Sequence, residues 1–290
     1  MFWSVIINLI LTLFLGTNIP TALVNPDATR LALNPDVPLL KLAAKRGAVL
    51  NASDHYFFFT AQADEIQPIA SITKLMTALI FLDNNPGWDK IYKITPEDKV
   101  EGGRLNLFLG DQVKIKDLFY TSLVASDNGA TLALVHSTGL GEEEFVKRMN
   151  LKASQLGLTN TSFEDPVGLS DNNVSTAREV AFLAQAALKR PEISAATTKS
   201  EYHFTTLAGR DKVVESTDYL LFNPAADSLQ ILGGKTGYTD KAGYCFVGLL
   251  RDRSGREVIS VILNSSGKNE RFVESKNLAN WAFASYNWNR

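Results

Sequence analysis

The sequence has few of the residues that mark several common kinds of functional site. Cys245 is the only cysteine among 290 residues, so neither an intrachain disulfide nor a cysteine-rich metal centre can form. The three histidines do not form a paired zinc-binding motif, and each is interpreted as a surface or packing residue: His55, His136 and His203. The net charge is −2 and no long run of Lys and Arg occurs. The sequence therefore predicts no metal site and no nucleic-acid partner.

Charged residues are also absent from the start of the chain. No charge precedes Asp27, and residues 2–16 are mostly apolar. This length fits the core of a secretory signal better than a spanning helix, although extension to residue 24 gives a segment of membrane length. A buried helix of the folded domain is the remaining alternative. We predict that residues 1–24 are a signal peptide or membrane anchor, with cleavage and retention both open.

The rest of the chain has the composition of a folded protein, since 45 % of the residues are apolar and 21 % are charged. Residues 25–40 contain two Asn-Pro-Asp triplets and are interpreted as a linker. Residues 41–290 are enough for one large domain or for two lobes around a shared cleft. We therefore expect one domain that follows the linker.

Strand patterns occur at both ends of this domain, and helical patterns lie between them. Apolar runs predict strands over residues 47–50, 56–60, 244–250 and 258–263. Helical periodicity predicts helices over residues 72–81, 116–124, 129–137, 142–156, 176–188 and 270–286. One of these helices begins with a capping box formed by Thr176 and Glu179. The predicted class is α/β of the α+β type, with an antiparallel sheet flanked by helices and a mostly helical lobe.

The first candidate for chemistry is the segment of residues 70–74 (ASITK). On a helix, positions three apart lie on one face about 5–6 Å apart, so the Ser71 hydroxyl and the Lys74 amine can meet. A serine near a helix N-terminus also lies among backbone N–H groups that stabilise a developing oxyanion. Lysine acts as a base only when its pKa is lowered, which burial achieves. Taken alone, the spacing more often marks an N-cap serine and a surface lysine.

Two further motifs follow along the chain. Ser126 and Asn128 lie between predicted helices, where an ordinary capping turn is the alternative explanation. Residues 233–237 (GGKTG) precede a β-rich run, and a strand edge there offers backbone groups to an extended peptide. Lys235 would supply a positive charge for a substrate carboxylate, and Thr236 would supply a further hydrogen-bond donor. Gly237 would let the substrate approach the backbone closely. A plain glycine turn is the alternative for this motif.

The combination of motifs is far more specific than any one of them. The order SxxK, SxN and KTG is closely similar to the trio of β-lactamases and penicillin-binding proteins. From about residue 45, the chain resembles the low-molecular-mass penicillin-binding proteins, the serine D-Ala-D-Ala carboxypeptidases and endopeptidases. Residues 68–77 (PIASITKLMT) are close to the family's nucleophile segment, and residues 234–244 (GKTGYTDKAGY) are nearly its third motif. Arg271 resembles an arginine that the family uses near the substrate carboxylate.

This resemblance implies a β-lactamase/DD-peptidase-like fold, with the active site between the sheet and the helical lobe. It also implies that Ser71 attacks the penultimate D-Ala carbonyl and forms an acyl-enzyme, after Lys74 takes its proton. Ser126 and Lys235 pass a proton to the leaving D-Ala. The other expected substrate contacts are Asn128, Thr236, Gly237 and Arg271. The scheme needs no metal and no organic cofactor.

The implied partners are peptidoglycan peptides, with β-lactam antibiotics as covalent inhibitors. The implied location is the periplasm or the extracellular face of the cytoplasmic membrane, with membrane association if the N-terminal segment is retained. Three features depart from the family pattern. Asp127 stands where Gly is more common, and Asp218 stands where an Asn is expected. The chain also ends soon after Trp281, a shorter build that resembles the endopeptidase branch.

We predict a serine D-Ala-D-Ala carboxypeptidase, with a D-alanyl-D-alanine endopeptidase that cuts cross-links as the alternative. A β-lactamase is less favoured. It needs a deacylating carboxylate, for which Glu164 is the candidate, but residues 164–168 (EDPVG) lack the Leu-Asn that would follow it. A catalytically inactive wall-binding module is a further alternative, and the intact trio argues against it.

Overall fold

The structure is a computed structural model, and it describes residues 37, 40–100, 106–222, 229–286 and 288. The predicted signal peptide or anchor lies outside these residues, as does nearly all of the predicted linker. In the described part of the chain, no helix is long and apolar enough to cross a membrane.

The described residues form eleven strands and seven α-helices. In chain order the strands are β1 (Arg46–Asn51), β2 (Phe57–Ala61), β3 (Gln67–Pro68), β4 (Ile91–Lys93), β5 (Gln112–Lys114), β6 (Val174–Ser175), β7 (Glu201–Thr205), β8 (Asp211–Glu215), β9 (Gln230–Thr239), β10 (Gly243–Arg251) and β11 (Glu257–Ser265). The helices are α1 (Lys74–Asp83), α2 (Ile115–Val124), α3 (Asn128–Ser137), α4 (Glu142–Gln155), α5 (Ala177–Leu188), α6 (Pro191–Thr197) and α7 (Glu270–Ser285). Every predicted strand and helix is present, with ends that differ by a few residues.

A five-stranded antiparallel sheet joins the two ends of the described chain. Its order is β2-β1-β11-β10-β9, so β1 from the start of the domain pairs with β11 from its end. β10 and β11 form the predicted hairpin. β9 occupies one edge, and within the sheet only one side of its backbone is paired. The predicted antiparallel sheet is confirmed, and the KTG motif lies on its edge strand.

Helices cover both faces of this sheet. In β1, Ala48 and Leu50 pack in the core that contains α1 and α5, whereas Val49 packs in the core that contains α7. This alternation is the period-two pattern of a strand that is buried on both faces. The first eight residues of α1 are all buried, as expected for a mostly apolar helix in the interior, and the two polar residues among them are Lys74 and Thr77. The predicted helical lobe thus packs directly on the sheet.

Several elements of the fold were not predicted, among them the short strands β3 to β6, the helix α6 and the β7–β8 hairpin. The helix α6 has only seven residues, and the β7–β8 hairpin buries one apolar residue on each strand, Phe204 and Val214. The hairpin is held by polar contacts instead: Tyr202 Oη donates to Asp117 Oδ1 (2.7 Å) and Lys212 Nζ donates to Asn106 O (2.9 Å). Sequence periodicity does not detect elements that are anchored in this way.

Candidate active site

Ser71 lies in a single 3-10 turn, Ala70–Thr73, which leads directly into α1. The turn is packed tightly from outside, because a Cβ added at Gly168 would lie 2.2 Å from Ala70 O and 2.9 Å from Ser71 N. Ala70 adopts a φ of +48°, a left-handed conformation that costs a residue with a side chain about 1–2 kcal/mol. A strained and closely packed turn therefore presents the Ser71 hydroxyl.

The Lys74 amine lies beside this hydroxyl, as the helical spacing predicts. Nζ is 3.1 Å from Ser71 Oγ, 2.8 Å from Asn128 Oδ1 and 2.6 Å from Val167 O. Both of the last two atoms are carbonyl oxygens and can only accept hydrogen bonds. A neutral amine has two N–H donors and one lone pair. The two carbonyls therefore occupy both donors, and the lone pair is left for the Ser71 hydroxyl.

Burial also favours the neutral form of this amine. Lys74 has no exposed surface, and burial lowers its pKa to about 7, while the charges of Asp127 and Asp165 act in the opposite direction. The neutral amine is therefore accessible near pH 7. A general base with a pKa near the operating pH is unprotonated in a substantial fraction of molecules and still basic enough to take a proton.

The loop of residues 164–173 supplies one of the carbonyl contacts to Lys74. The carboxylate of Asp165 accepts several backbone N–H groups of this loop, including those of Val167 (2.7 Å) and Gly168 (2.6 Å). A carboxylate that accepts several backbone donors at these distances fixes a loop strongly. Asp165 thus holds Val167 O where it contacts the amine.

Glu164, the candidate for a deacylating base, is directed elsewhere. Its carboxylate accepts hydrogen bonds from Ser170 Oγ (2.8 Å) and Asn172 Nδ2 (2.9 Å), and its side chain is exposed. It does not line the cavity that contains Ser71. The geometry therefore gives Glu164 no route to an ester on the nucleophile.

The second motif lies across from the nucleophile, in the connection between α2 and α3. Ser126 adopts a φ of +57°, and its Oγ lies 2.7 Å from Lys235 Nζ. Asn128, the first residue of α3, accepts the Lys74 hydrogen bond through Oδ1. This motif therefore contacts both lysines and links the first motif to the third.

Asp127 has a structural explanation within the same motif. It is the N-cap of α3, where Oδ1 accepts a hydrogen bond from Ala130 N at 2.8 Å. Oδ2 accepts from the backbone and side-chain nitrogens of Asn106, at 3.0 and 2.8 Å. The aspartate that departs from the family pattern therefore caps a helix and binds the backbone and side chain of Asn106.

Lys235 is buried on the edge strand β9. Its Nζ donates to Ser126 Oγ and to Thr236 O, the latter at 3.0 Å. Burial, together with the positive charges of Lys74 and Arg271, lowers the pKa of Lys235 well below its usual range. A Cβ added at the last residue of the motif, Gly237, would lie 2.7 Å from a backbone oxygen of the segment before Ser71. Only glycine lets β9 approach the nucleophile turn this closely.

Arg271 extends from α7 under the same strand. Its Nη1 donates to Gly237 O (3.1 Å) and Cys245 O (3.3 Å), so the guanidinium bridges β9 and β10. The side chain is nearly fully buried, and among the described residues Nε has no hydrogen-bond partner. The residue expected near a substrate carboxylate therefore lies at this strand with donor capacity to spare.

Asp218 forms a buried carboxyl group near these cations. Oδ1 accepts a hydrogen bond from Leu220 N (3.0 Å), whereas Oδ2 is buried and has no partner among the described residues. Burial raises the pKa of Asp218 to about 6, against the opposing effects of the Leu220 N–H, Arg271 and Lys235. The departure from the expected Asn thus introduces a titratable group whose charge interacts with those of Lys235 and Arg271.

One cavity of about 300 Å³ joins these groups. The candidate residues that line it are Ser71, Ser126, Asn128, Thr236, Gly237 and Arg271. Lys74 and Lys235 lie behind it, with their amines on the two serine hydroxyls. A larger cleft of about 760 Å³ lies along the start of β9, but its lining residues include neither lysine nor histidine. The smaller cavity is therefore the candidate active site, because it alone of the two offers a nucleophile with a base.

Among the polar residues of this cavity, sequence reasoning missed Thr217, Tyr219 and Lys268. Thr217 Oγ1 lies 2.6 Å from Thr236 Oγ1, and so extends the row of hydroxyl groups beside Lys235. Residues 217 and 219 follow the unpredicted hairpin and carry no local pattern. Lys268 precedes Arg271 by three positions, a spacing that places residues on one side of a turn. Among the described residues, no group of three or more His, Cys, Asp and Glu side chains could hold a metal.

A buried lysine beside a serine, facing a second serine that contacts a lysine of the sheet edge, defines a serine acyl-transfer enzyme with the β-lactamase/DD-peptidase fold. Solved structures agree. The Streptomyces K15 DD-transpeptidase matches with a TM-score of 0.79 at 27 % identity, covering 86 % of this chain and 100 % of that one. Penicillin-binding protein D2 from Listeria monocytogenes, in its cefotaxime-bound form, matches with a TM-score of 0.73 at 33 % identity, covering 85 % and 99 %.

Sequence comparison then identifies the family. The family model described as D-alanyl-D-alanine carboxypeptidase matches residues 35–267. The D-alanyl-D-alanine endopeptidase of Escherichia coli (strain K12) is 31 % identical over 268 residues, which cover 90 % of this chain and 83 % of that protein. The chain therefore belongs to the D-alanyl-D-alanine carboxypeptidase family, and it is a serine peptidase of cell-wall peptides. The predicted family, fold class and enzyme class are confirmed.

Proposed function

We propose that the protein removes the terminal D-Ala from peptidoglycan stem peptides through an acyl-enzyme on Ser71. One observation carries the proposal: Lys74 Nζ lies 3.1 Å from Ser71 Oγ while carbonyl oxygens occupy its two donors. Lys74 takes the hydroxyl proton as Ser71 Oγ attacks the carbonyl of the penultimate D-Ala. The Ser71 N–H lies in the first helical turn, where backbone donors lack intrahelical partners, and stabilises the oxyanion.

The edge strand binds the leaving amino acid. Lys235, Thr236 and Arg271 offer an amine, a hydroxyl and a guanidinium to its carboxylate. The negative charge of that carboxylate raises the pKa of Lys235 and so offsets the effect of burial, which makes Lys235 cationic in the complex. Ser126 Oγ, 2.7 Å from Lys235 Nζ, passes a proton to the departing amine. Lys235 then reprotonates Ser126. Water attacks the ester and gives up a proton that restores Lys235, while Lys74 returns its proton to Ser71 as the shortened peptide leaves.

A second candidate function is cleavage of cross-links, as an endopeptidase. It is favoured by the relative from Escherichia coli, which is named an endopeptidase and is covered over most of its length. In both reactions the scissile amide follows a D-alanine carbonyl, and the proposed contacts fit a leaving residue that has a carboxylate next to its nitrogen. The same groups therefore serve both substrates, and the bulk of the leaving group distinguishes them.

β-Lactams are proposed as covalent inhibitors that acylate Ser71. No carboxylate lines the described part of the cavity, and Glu164 is engaged outside it. With no carboxylate positioned to activate water, the drug ester is expected to persist. Because the substrate is part of the cell wall, we also propose that the enzyme acts outside the cytoplasm, with residues 1–24 as the export signal or anchor.

The test is acylation by a fluorescent penicillin, followed on denaturing gels and by mass spectrometry. Wild type should be labelled and stay labelled, and Ser71→Ala should show no labelling with an unchanged circular dichroism spectrum. Ser254→Ala, in the exposed β10–β11 turn, is the matched control and should be labelled as wild type. Labelling of Ser71→Ala would remove Ser71 as the nucleophile, and rapid turnover of the drug would identify a β-lactamase instead. Parallel incubation with a pentapeptide and a cross-linked dimer separates the two peptidase activities.

A further inference from the structure

The cavity has one more cationic group than the proposed reaction uses. Lys268 lies in the turn before α7 and lines the same cavity as Ser71 and Arg271. Its side chain is exposed, and no described residue forms an ion pair with it. A single substrate carboxylate is already served by two buried cations. Lys268 is therefore available to a second anionic group.

Aromatic rings hold Lys268 on the side of the cavity where Arg271 lies. Lys268 Nζ is 4.7 Å from the centroid of the Tyr219 ring. That ring packs on Phe272 at a centroid distance of 5.7 Å, and the Arg271 guanidinium carbon lies 4.7 Å from the Phe272 centroid. A cation over an aromatic face is attracted by the ring quadrupole. The four side chains thus form a continuous row from the carboxylate-binding residues to the rim.

This row lies on the leaving-group side of the site. In the proposed function Arg271 binds the carboxylate beside the scissile bond, and that carboxylate belongs to the leaving residue. Any part of the leaving group that extends past this carboxylate therefore passes Tyr219 and Lys268. A terminal D-alanine has only a methyl group beyond its carboxylate, whereas the leaving peptide of a cross-link is long and carries further carboxylates.

We infer that Lys268 binds a second carboxylate on the leaving peptide of a cross-linked substrate, and thereby favours cross-link cleavage over removal of terminal D-Ala. This inference rests on the proposed function and specifies its substrate class, an acidic leaving peptide. Lys268 is thus a specificity-determining residue. An exposed ion pair of this kind changes a ratio of rate constants by about threefold, and the change should weaken as salt screens the pair.

The experiment compares three substrates: a pentapeptide that ends in D-Ala-D-Ala, a cross-linked dimer (the acidic dimer) and an amidated form of that dimer. In the amidated dimer, every carboxylate of the leaving peptide is converted to an amide, apart from the carboxylate beside the scissile bond. The measured quantity is the ratio of kcat/KM for a dimer to kcat/KM for the pentapeptide. Lys268→Gln should lower this ratio about threefold for the acidic dimer and leave it unchanged for the amidated dimer. Lys268→Arg, which keeps the positive charge, should retain the wild-type ratio for the acidic dimer. Lys241→Gln is the control, because Lys241 is an exposed lysine of the β9–β10 turn that does not line the cavity.

Two results would overturn the inference: an unchanged ratio in Lys268→Gln, or an equal fall for both dimers. A wild-type enzyme that accepts penicillin and cleaves the pentapeptide, but cleaves neither dimer, would also overturn it while leaving the proposed function intact. Absence of penicillin labelling and of all peptide cleavage would instead refute the proposed function.

Discussion

Replacement of Asp218 by Asn should stabilise the folded protein above pH 6 and change its stability little near pH 4. The pKa of Asp218 is about 6 in the folded protein, against 3.8 for an unperturbed aspartate, so the folded state binds this proton more tightly than the unfolded state. The contribution of this proton to the free energy of unfolding is fully present below pH 3.8 and is lost as the pH rises through 6. Asparagine avoids this loss, because it has no charge to bury at any of these pH values.

The magnitude follows from the difference between the two pKa values. About two units correspond to about 3 kcal/mol, which is an upper limit for the gain in the free energy of unfolding at pH 8. The introduced asparagine would still offer a carbonyl oxygen to Leu220 N, whose hydrogen bond Asp218 Oδ1 now accepts at 3.0 Å. For a chain of this size, a gain of about 2–3 kcal/mol raises Tm by roughly 5 °C.

The assay is thermal unfolding at pH 4 and pH 8, followed by circular dichroism. Asp117→Asn is the matched control, because Asp117 is also buried but both of its oxygens accept hydrogen bonds, from Tyr202 Oη (2.7 Å) and Lys114 N (3.3 Å). Asparagine in place of Asp117 loses one of these acceptors and should lower Tm. A Tm of Asp218→Asn that is not raised at pH 8, or that is raised equally at both pH values, would refute the reasoning.

Three further predictions concern the groups around the nucleophile. The rate of acylation by a β-lactam should rise with pH through about 7 as Lys74 loses its proton, and Lys74→Met should lower the rate by about 10²–10⁴-fold; a pH-independent wild-type rate in stopped-flow fluorescence would contradict this. Gly168→Ala should slow acylation at least about tenfold, because the new Cβ would lie 2.2 Å from a backbone oxygen of the nucleophile turn. Gly139→Ala, which also has a positive φ but open surroundings, should lose stability only, and equal acylation rates of the two variants would exclude the packing argument. Asp165→Ala should release Val167 O from Lys74 and reduce both Tm and acylation, as measured by calorimetry and penicillin labelling; wild-type values would show that the loop holds itself.

The elements that could be predicted from the sequence are those whose burial imposes a regular pattern. The helix α5 shows this, since its apolar face appears in the structure and Thr176 is its N-cap, with Oγ1 accepting from Glu179 N at 3.1 Å. The reciprocal half of the predicted capping box does not form among the described residues, because the Glu179 carboxylate accepts from Asn160 N and Thr161 Oγ1 instead. The β7–β8 hairpin lacks such a pattern, because each strand buries a single apolar residue. Its position depends on polar contacts with residues about 85–106 positions away, and no local rule anticipates these.

The candidate site divides in the same way. The contact between Ser71 and Lys74 follows from helix geometry alone, so the spacing was sufficient to predict it. The contact between Ser126 and Lys235 spans 109 positions and exists because the helical lobe packs on β9. Only the resemblance to a family indicated that these two residues meet. Burial, which sets the pKa of Lys74 and Asp218, is likewise a property of the assembled fold.

The positive φ angles at Ala70 (+48°) and Ser126 (+57°) have a consequence for protein engineering. Both residues belong to turns that present a hydroxyl to the cavity, and glycine at either position would relieve the left-handed conformation. Selection of variant libraries for thermal stability alone would therefore enrich such glycines and yield stable proteins with reduced catalytic activity. Laboratory evolution of this scaffold needs a simultaneous screen for substrate conversion, since durability and catalysis compete at these two turns.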